Sequence, residues 1–260
     1  AILARVLTPA RVASLESGVR ASARALLERL VPQGAFDAAT DYAHQIPTLT
    51  MCELMDLPTA DRAQFLKWNL DTLAGSDFTS DAALRAYAEM AAYWEGLVAE
   101  RREHPGPDLV SQILHNQTKG AELSDAEIAG FCSLLHDASQ NTTMNMIANS
   151  IVELARWPDE RAKLVREPAR MPKAIEELLR FVSPVQGLAR TTTRDVVLHD
   201  TTIPEGEQVL LLYGAANHDE RVFERPEALD LDRNLRAHWA FGHGINFCLG
   251  NAAARLEVRI

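Results

Sequence analysis

Cys248 sits in the run Phe241-Gly242-His243-Gly244-Ile245-Asn246-Phe247-Cys248-Leu249-Gly250, ahead of a segment with helical apolar spacing. Glycines at this density permit a tight loop and close approach by something flat or bulky. A cysteine at a helix start meets backbone N–H groups and the positive end of the helix dipole, which favour the thiolate. A soft anionic sulfur in an apolar loop is what an axial ligand of heme iron requires. The same residues also fit an inert thiol in a glycine-rich turn. A zinc set of His238, His243 and Cys248 lacks a fourth ligand and the Cys-x-x-Cys spacing. A phosphate loop would need Gly-Lys-Ser/Thr, which is absent.

Two further constellations could carry chemistry. His136, Asp137, Ser139, Gln140, Asn141, Thr142 and Thr143 lie together in a run from Phe131 to Trp157 that contains no Pro or Gly. Buried polar groups cost free energy unless paired, so a polar belt in a central helix points to a site. Glu177 and Arg180 stand at i,i+3, close enough to pair on one helical face. On a surface helix such a pair is worth only tenths of a kcal/mol.

The elements that position these residues read as mostly helical. Ser124-Asp125-Ala126-Glu127 is a capping box, predicting a helix of some 30 residues from there to Trp157. Thr8-Pro9 opens a helix whose apolar positions are Val12, Leu15, Val19, Ala23, Leu26, Leu27 and Leu30, ended by Pro32-Gln33-Gly34. Further helical stretches follow near 38–56, 58–73, 79–103 and 108–116, with a turn at His104–Asp108. Pro158 and Pro172 each open another, the second reaching about Phe181, and a last helix begins at about Leu249. Between them, 195–198, 201–203 and 208–213 are short β-rich runs, read as one small antiparallel sheet. The residues after 217 read as loop through Trp239.

Composition narrows the partners. Of 260 residues, 47% are hydrophobic and 24% charged, ordinary for a globular chain with a sizeable core. Lys+Arg 26 against Asp+Glu 36 gives −10, which argues against a nucleic-acid partner. Cys52, Cys132 and Cys248 are odd in number and far apart, which argues for a reducing, cytoplasmic setting. No apolar run nears the roughly 20 residues of a membrane span, and no signal peptide is expected. The start at Ala1-Ile2-Leu3-Ala4-Arg5 falls mid-pattern, as though sequence preceded it.

The cysteine loop resembles that of the cytochrome P450 family, Phe-Gly-x-Gly-x-(His or Arg)-x-Cys-x-Gly. Glu177-Leu178-Leu179-Arg180 is similar to the family's Glu-x-x-Arg. Leu188-Ala189-Arg190-Thr191-Thr192-Thr193 resembles the segment whose arginine meets a heme propionate. Tyr213–Asp219 and Phe223–Pro226 are similar to the stretch that follows it. Ala138-Ser139-Gln140-Asn141-Thr142-Thr143 resembles the oxygen-groove pattern Ala-Gly-x-(Asp or Glu)-Thr-Thr. Order and spacing agree over essentially the whole chain, in the style of bacterial members. Members run to roughly 400 residues, so 1–260 is expected to be a single partial domain, from the end of the C helix to the start of the L helix.

The resemblance implies a mainly α fold with a small antiparallel β part, an incomplete P450 fold. It implies heme b, with Cys248 as the iron ligand and the porphyrin against the polar middle of the 124–157 helix. Phe241, Gly242, Gly250 and Ala138 would border the heme. Arg190 and His238 would serve its propionates, as would Asn246, which stands where His or Arg is usual and offers only a neutral hydrogen bond. Thr142 would be the proton-delivering alcohol. Asn141 replaces the family's acid and cannot ionise, and Ser139 stands for a glycine. Asp137, four residues before Asn141, or a water chain would take over part of the acid's role. Glu177 and Arg180 would be scaffold; a third arginine often joins them, but its best-aligned position is Ala228. Leu135, Ala138 and Val185 to Leu188 would border the substrate. The implied activity is monooxygenation of an apolar small molecule by dioxygen, with electrons from a ferredoxin-type or other separate partner. A heme-binding or heme-free helical protein without turnover and a peroxide-driven heme enzyme are the alternatives.

Overall fold

A computed structural model describes residues 7–73, 79–117 and 122–260; the opening Ala1–Arg5 lies outside them. In chain order the helices are α1 (Pro9–Ser14), α2 (Glu16–Leu30), α3 (Gln45–Met55), α4 (Arg62–Leu73), α5 (Asp81–Glu103), α6 (Leu109–His115), α7 (Asp125–Arg156), α8 (Pro158–Arg166) and α9 (Met171–Val182). Strands β1 (Leu188–Thr191), β2 (Val196–Leu198), β3 (Thr201–Ile203) and β4 (Gln208–Leu211) precede α10 (Tyr213–Asn217) and α11 (Asn251–Arg259). The chain divides into two compact units, Ala1–Ala148 with Leu249–Ile260 and Asn149–Cys248.

The first unit is helical. Its larger core joins Met51, Met55, Phe65, Trp68, Met90, Trp94, Val98, Ile113, Ile128 and Cys132. Phe65 is its hub, meeting Trp68 and Tyr93 edge-on at 5.1 Å each. A second cluster packs Val19, Ala23, Leu26 and Leu30 of α2 against Ala43, Ile46 and Ile147. The capping box forms as the sequence predicts: the Glu127 carboxylate accepts from Ser124 N at 2.8 Å, and Ser124 Oγ accepts from Glu127 N at 3.3 Å. The helix expected from Pro9 to Leu30 is broken at Leu15. Ser14 Oγ donates to Arg11 O at 2.7 Å, the carbonyl that Leu15 N–H would need, and Leu15 N–H turns to Val12 O at 3.1 Å.

The second unit holds α8, α9, the strands and α10. The β part is two separate hairpin ladders, not one sheet: β1 pairs antiparallel with β4 (Leu188↔Leu211 to Thr191↔Gln208), and β2 with β3 (Val196↔Ile203). The run at 208–213 looks like strand throughout by composition. It stops at Leu211 because Gly214 N–H bonds Gln186 O at 3.1 Å, turning the chain into α10. A Cβ there would lie 2.2 Å from Gln186 Oε1, so any other residue would have to displace the Gln186 side chain.

Candidate functional site

In the second unit, the cysteine loop is fixed by its own backbone. Gly242 N–H bonds Trp239 O at 2.9 Å, Phe247 N–H bonds Gly244 O at 3.1 Å, and Cys248 N–H bonds Phe241 O at 2.9 Å. Gly242 (φ 68°) and Gly244 (φ 66°) are left-handed, a conformation that a side chain would strain. The Phe241 and Phe247 rings meet at 6.1 Å, and His238 packs on Phe241 at 5.8 Å. Cys248 is half-buried and forms no disulfide. Burial pushes the other two thiols, Cys52 and Cys132, up to about 11 and about 12.

The last helix starts at Asn251 with Gly250 as its cap, so Cys248 stands two residues outside the cap and not in the first turn. Gly250 has φ −80°, which any residue adopts, and a Cβ there would meet nothing within 4 Å. Neither its backbone nor its neighbours demand a glycine. Ile245 is fully exposed and Phe247 is 46% exposed. Exposed apolar side chains beside a cysteine whose backbone is held suit a flat apolar macrocycle with iron at its centre, and heme fits the donor set present.

Behind the loop, Glu177 and Arg180 are buried on α9 and joined bidentately, Nε to Oε2 and Nη2 to Oε1, both at 2.8 Å. Arg180 Nη1 also donates to Asn217 O (2.8 Å) and Pro226 O (2.9 Å), and Nη2 to Ala228 O (3.4 Å). The third arginine is Arg233, whose Nε donates to Glu177 Oε1 at 3.0 Å. Arg233 also holds the carbonyls of Glu224, Arg225 and Ala228. Position 228, where sequence alignment looked for that cation, contributes its carbonyl. Sequence reasoning missed Arg233 because the segment between has no periodicity from which to count.

The expected propionate partners differ in availability. Arg190 is exposed on β1, and its Nη1 donates to Ala189 O at 2.8 Å. Both ring nitrogens of His238 are engaged: Nδ1 accepts from Ala240 N at 3.2 Å, which leaves Nε2 to donate to Glu176 Oε2 at 3.1 Å. That leaves His238 no ring N–H for a propionate, and it braces the loop against α9 instead. Asn246 is exposed in the 3₁₀ turn Gly244–Asn246.

In the first unit, the polar belt of α7 divides by helical face. His136 is fully buried beside Phe65 and Trp94, with no hydrogen-bond partner on either nitrogen among the described residues, and burial drops its pKa to about 4. Gln140 Oε1 accepts from Thr48 Oγ1 at 2.9 Å and Asn69 Nδ2 at 3.0 Å, a buried knot linking α3, α4 and α7. These two inward residues belong to the core. Thr142 is half-buried and its Oγ1 donates to Ala138 O at 2.9 Å; Ala138 is exposed. Asn141 Oδ1 is buried with no hydrogen-bond partner among the described residues. Ser139 Oγ donates to His136 O at 2.9 Å. Asp137 is an exposed residue, although the protein crowding its carboxylate raises its pKa; burial, with the charge of Asp137 added, raises that of Tyr87. Leu135 packs against the larger core, Val185 is half-buried, and Leu188 is 48% exposed.

The sequence matches the family model Cytochrome P450 over residues 79–260. Cytochrome P450 130 of Mycobacterium tuberculosis is 39% identical, with 100% of this chain covering 65% of that protein. The biotin biosynthesis cytochrome P450 of Bacillus subtilis is 34% identical over 97% of this chain and 65% of its own. Among solved structures, the bacillaene polyketide synthase cytochrome P450 PksS of Bacillus subtilis 168 superposes with TM-score 0.94 at 32% identity, covering 99% of this chain and 67% of that one. The chain thus spans about 65% of the length of the curated relatives it matches. With the arginine–glutamate cluster, the glycine-held cysteine and these likenesses together, the chain belongs to the cytochrome P450 family.

Proposed function

We propose that the protein is a heme-thiolate monooxygenase that places one oxygen atom of dioxygen into an apolar small molecule, with electrons from a separate ferredoxin-type carrier. The observation that carries this reading is the Cys248 loop, held by Cys248 N–H to Phe241 O and by two left-handed glycines. When bound, the heme supplies the oxygen-activating chemistry, tuned by a thiolate ligand. Cys248 Sγ would be the ligand, and Phe241 and Gly242 beside it would give the macrocycle an apolar border. Arg190, with its guanidinium bonded only to a neighbouring carbonyl, has a planar fork to offer a propionate. Asn246 adds one neutral hydrogen bond.

Thr142 holds the hydroxyl proton that is delivered on turnover. Asn141 Oδ1, buried and unpaired, accepts a hydrogen bond from a water or a substrate donor, but cannot supply a proton. Val185 and Leu188 contribute apolar surface toward the substrate, and Glu177 with Arg180 holds the frame. Because an amide stands where the family's pattern has an acid, peroxide-driven turnover is the second reading.

The test is the carbon monoxide spectrum of the reduced, heme-loaded chain. A Soret band at the position of thiolate-ligated heme is expected, and Cys248→Ser should abolish it with the far-UV circular dichroism unchanged. Heme binding with an unaltered band in Cys248→Ser would overturn the assignment. Turnover with peroxide but not with dioxygen and reductant would select the second reading.

A further inference from the structure

The middle of α7 turns one face inward and the other outward. Cys132, His136, Gln140 and Thr143 are buried, at the spacing of one helical stripe. Opposite them run Leu134, Asp137, Ala138, Asn141 and Thr142, each exposed or half-buried. Asp137 is the ionisable side chain of that open stripe.

Asp137 makes no hydrogen bond and no ion pair among the described residues. Thr142 Oγ1 donates instead to Ala138 O at 2.9 Å. Without a bond to Asn141 or Thr142, Asp137 lacks the wiring of a proton relay. Its carboxylate is nevertheless crowded by protein, which raises its pKa, and no arginine or lysine offsets that cost. A partly desolvated acid with no cation of its own is a place for one.

Tyr87 of α5 stands near enough for the charge of Asp137 to add to the effect of burial on its own pKa. Tyr87 is half-buried against the larger core, and its hydroxyl makes no hydrogen bond among the described residues. A phenol beside a carboxylate offers a cation a second contact, with the face of the ring. Leu84, one turn before Tyr87, is 54% exposed, and Leu134, one turn before Asp137, is 59% exposed. Acid and phenol thus lie among exposed apolar side chains, on two helices of the same unit.

We propose that Asp137 and Tyr87 select the substrate, an apolar molecule bearing a quaternary or protonated amine whose positive nitrogen lies against the Asp137 carboxylate. The apolar part of the molecule runs along α7 toward Thr142. Five residues at the α-helical rise set these two points about 7 to 8 Å apart along the helix axis. The inference rests on the reading of Thr142 as the proton-delivering alcohol, and it names the substrate class within that reading.

The test compares three ligands of one chain length: octyltrimethylammonium, 1-octanol and octanoate. A quaternary nitrogen has no lone pair for iron, so the comparison reports the head group. Calorimetric Kd values on the heme-loaded full chain should show the ammonium bound about tenfold more tightly than the alcohol, with the carboxylate weakest. Asp137→Asn should erase that preference and leave the Kd of 1-octanol within about twofold of wild type, while Asp137→Glu keeps most of it. Tyr87→Leu should weaken ammonium binding about threefold, and Tyr87→Phe should not. Asp137→Ser serves the same purpose should Asp137→Asn not fold. Equal Kd values for the three ligands, or a preference that survives Asp137→Asn, overturn the inference, and a thiolate Soret band in the same sample leaves the proposed function standing. Absence of that band, with the preference still dependent on Asp137, overturns the proposed function and with it the claim that the bound molecule is a substrate.

Discussion

At the scale of single residues, the buried cluster on α9 is where a side chain determines most. Glu177 meets two guanidinium groups, and removing one partner from a buried pair typically costs about 3–5 kcal/mol because the remaining charge is left uncompensated. Arg233→Ala should therefore lower the unfolding free energy read from a denaturant titration by that order, and Arg180→Ala by at least as much. Ala228→Ser should change little, because position 228 acts through its carbonyl. Equal stabilities for Arg233→Ala and Ala228→Ser would show that Arg233 adds nothing to the cluster. Spacing made the i,i+3 pair legible, because one helical face is set by local geometry. Arg233 was not legible, because its distance from Glu177 is set by the path of an irregular segment. Likewise the polar belt on α7 read as one site, although His136 and Gln140 turn into the core: residue type reports polarity, and only packing reports the face.

At the scale of elements, the helix ends were written clearly and the interruption was not. Ser124 and Glu127 cap α7 reciprocally, so Ser124→Ala should cost about 1 kcal/mol, measured as a shift in the thermal midpoint. Ser14 illustrates the opposite case. Its hydroxyl takes the carbonyl that would continue α1 into α2, a choice between two hydrogen bonds too close in energy for composition to decide. Ser14→Ala should let Leu15 N–H reach Arg11 O, seen as slower amide exchange at Leu15 with stability changed by less than about 0.5 kcal/mol. The hairpin at 188–211 was missed in part for a related reason: what ends β4 is a bond to Gln186, far along the chain from where the strand pattern is read.

For the whole molecule, −10 net charge and the absence, among the described residues, of a helix long and apolar enough to cross a membrane say little about function. Buried ionisable groups say more, through pH. Glu257 binds its proton up to about pH 8 when folded but only to 4.5 when unfolded, so stability is lost as pH rises between those values. His136 is depressed from 6.5 to about 4, so its contribution is lost as pH falls across that window, and His44 shifts the same way. The two slopes, each at most about 1.4 kcal/mol per pH unit, oppose one another in the overlap. Thermal melts at fixed ionic strength should give a maximum on the acid side of neutrality and a decline toward pH 8 that Glu257→Gln removes. An equally steep decline in the variant would assign it to other groups.

All five N–H donors of Arg180 have acceptors, and three of those acceptors are main-chain oxygens at 217, 226 and 228. A carbonyl is the same atom whatever residue bears it. The stretch from α10 toward Arg233 is therefore free to change its side chains widely, yet a single inserted or deleted residue there would move those oxygens off the guanidinium. Length, rather than composition, is the trait that a library of variants in this stretch should be unable to alter.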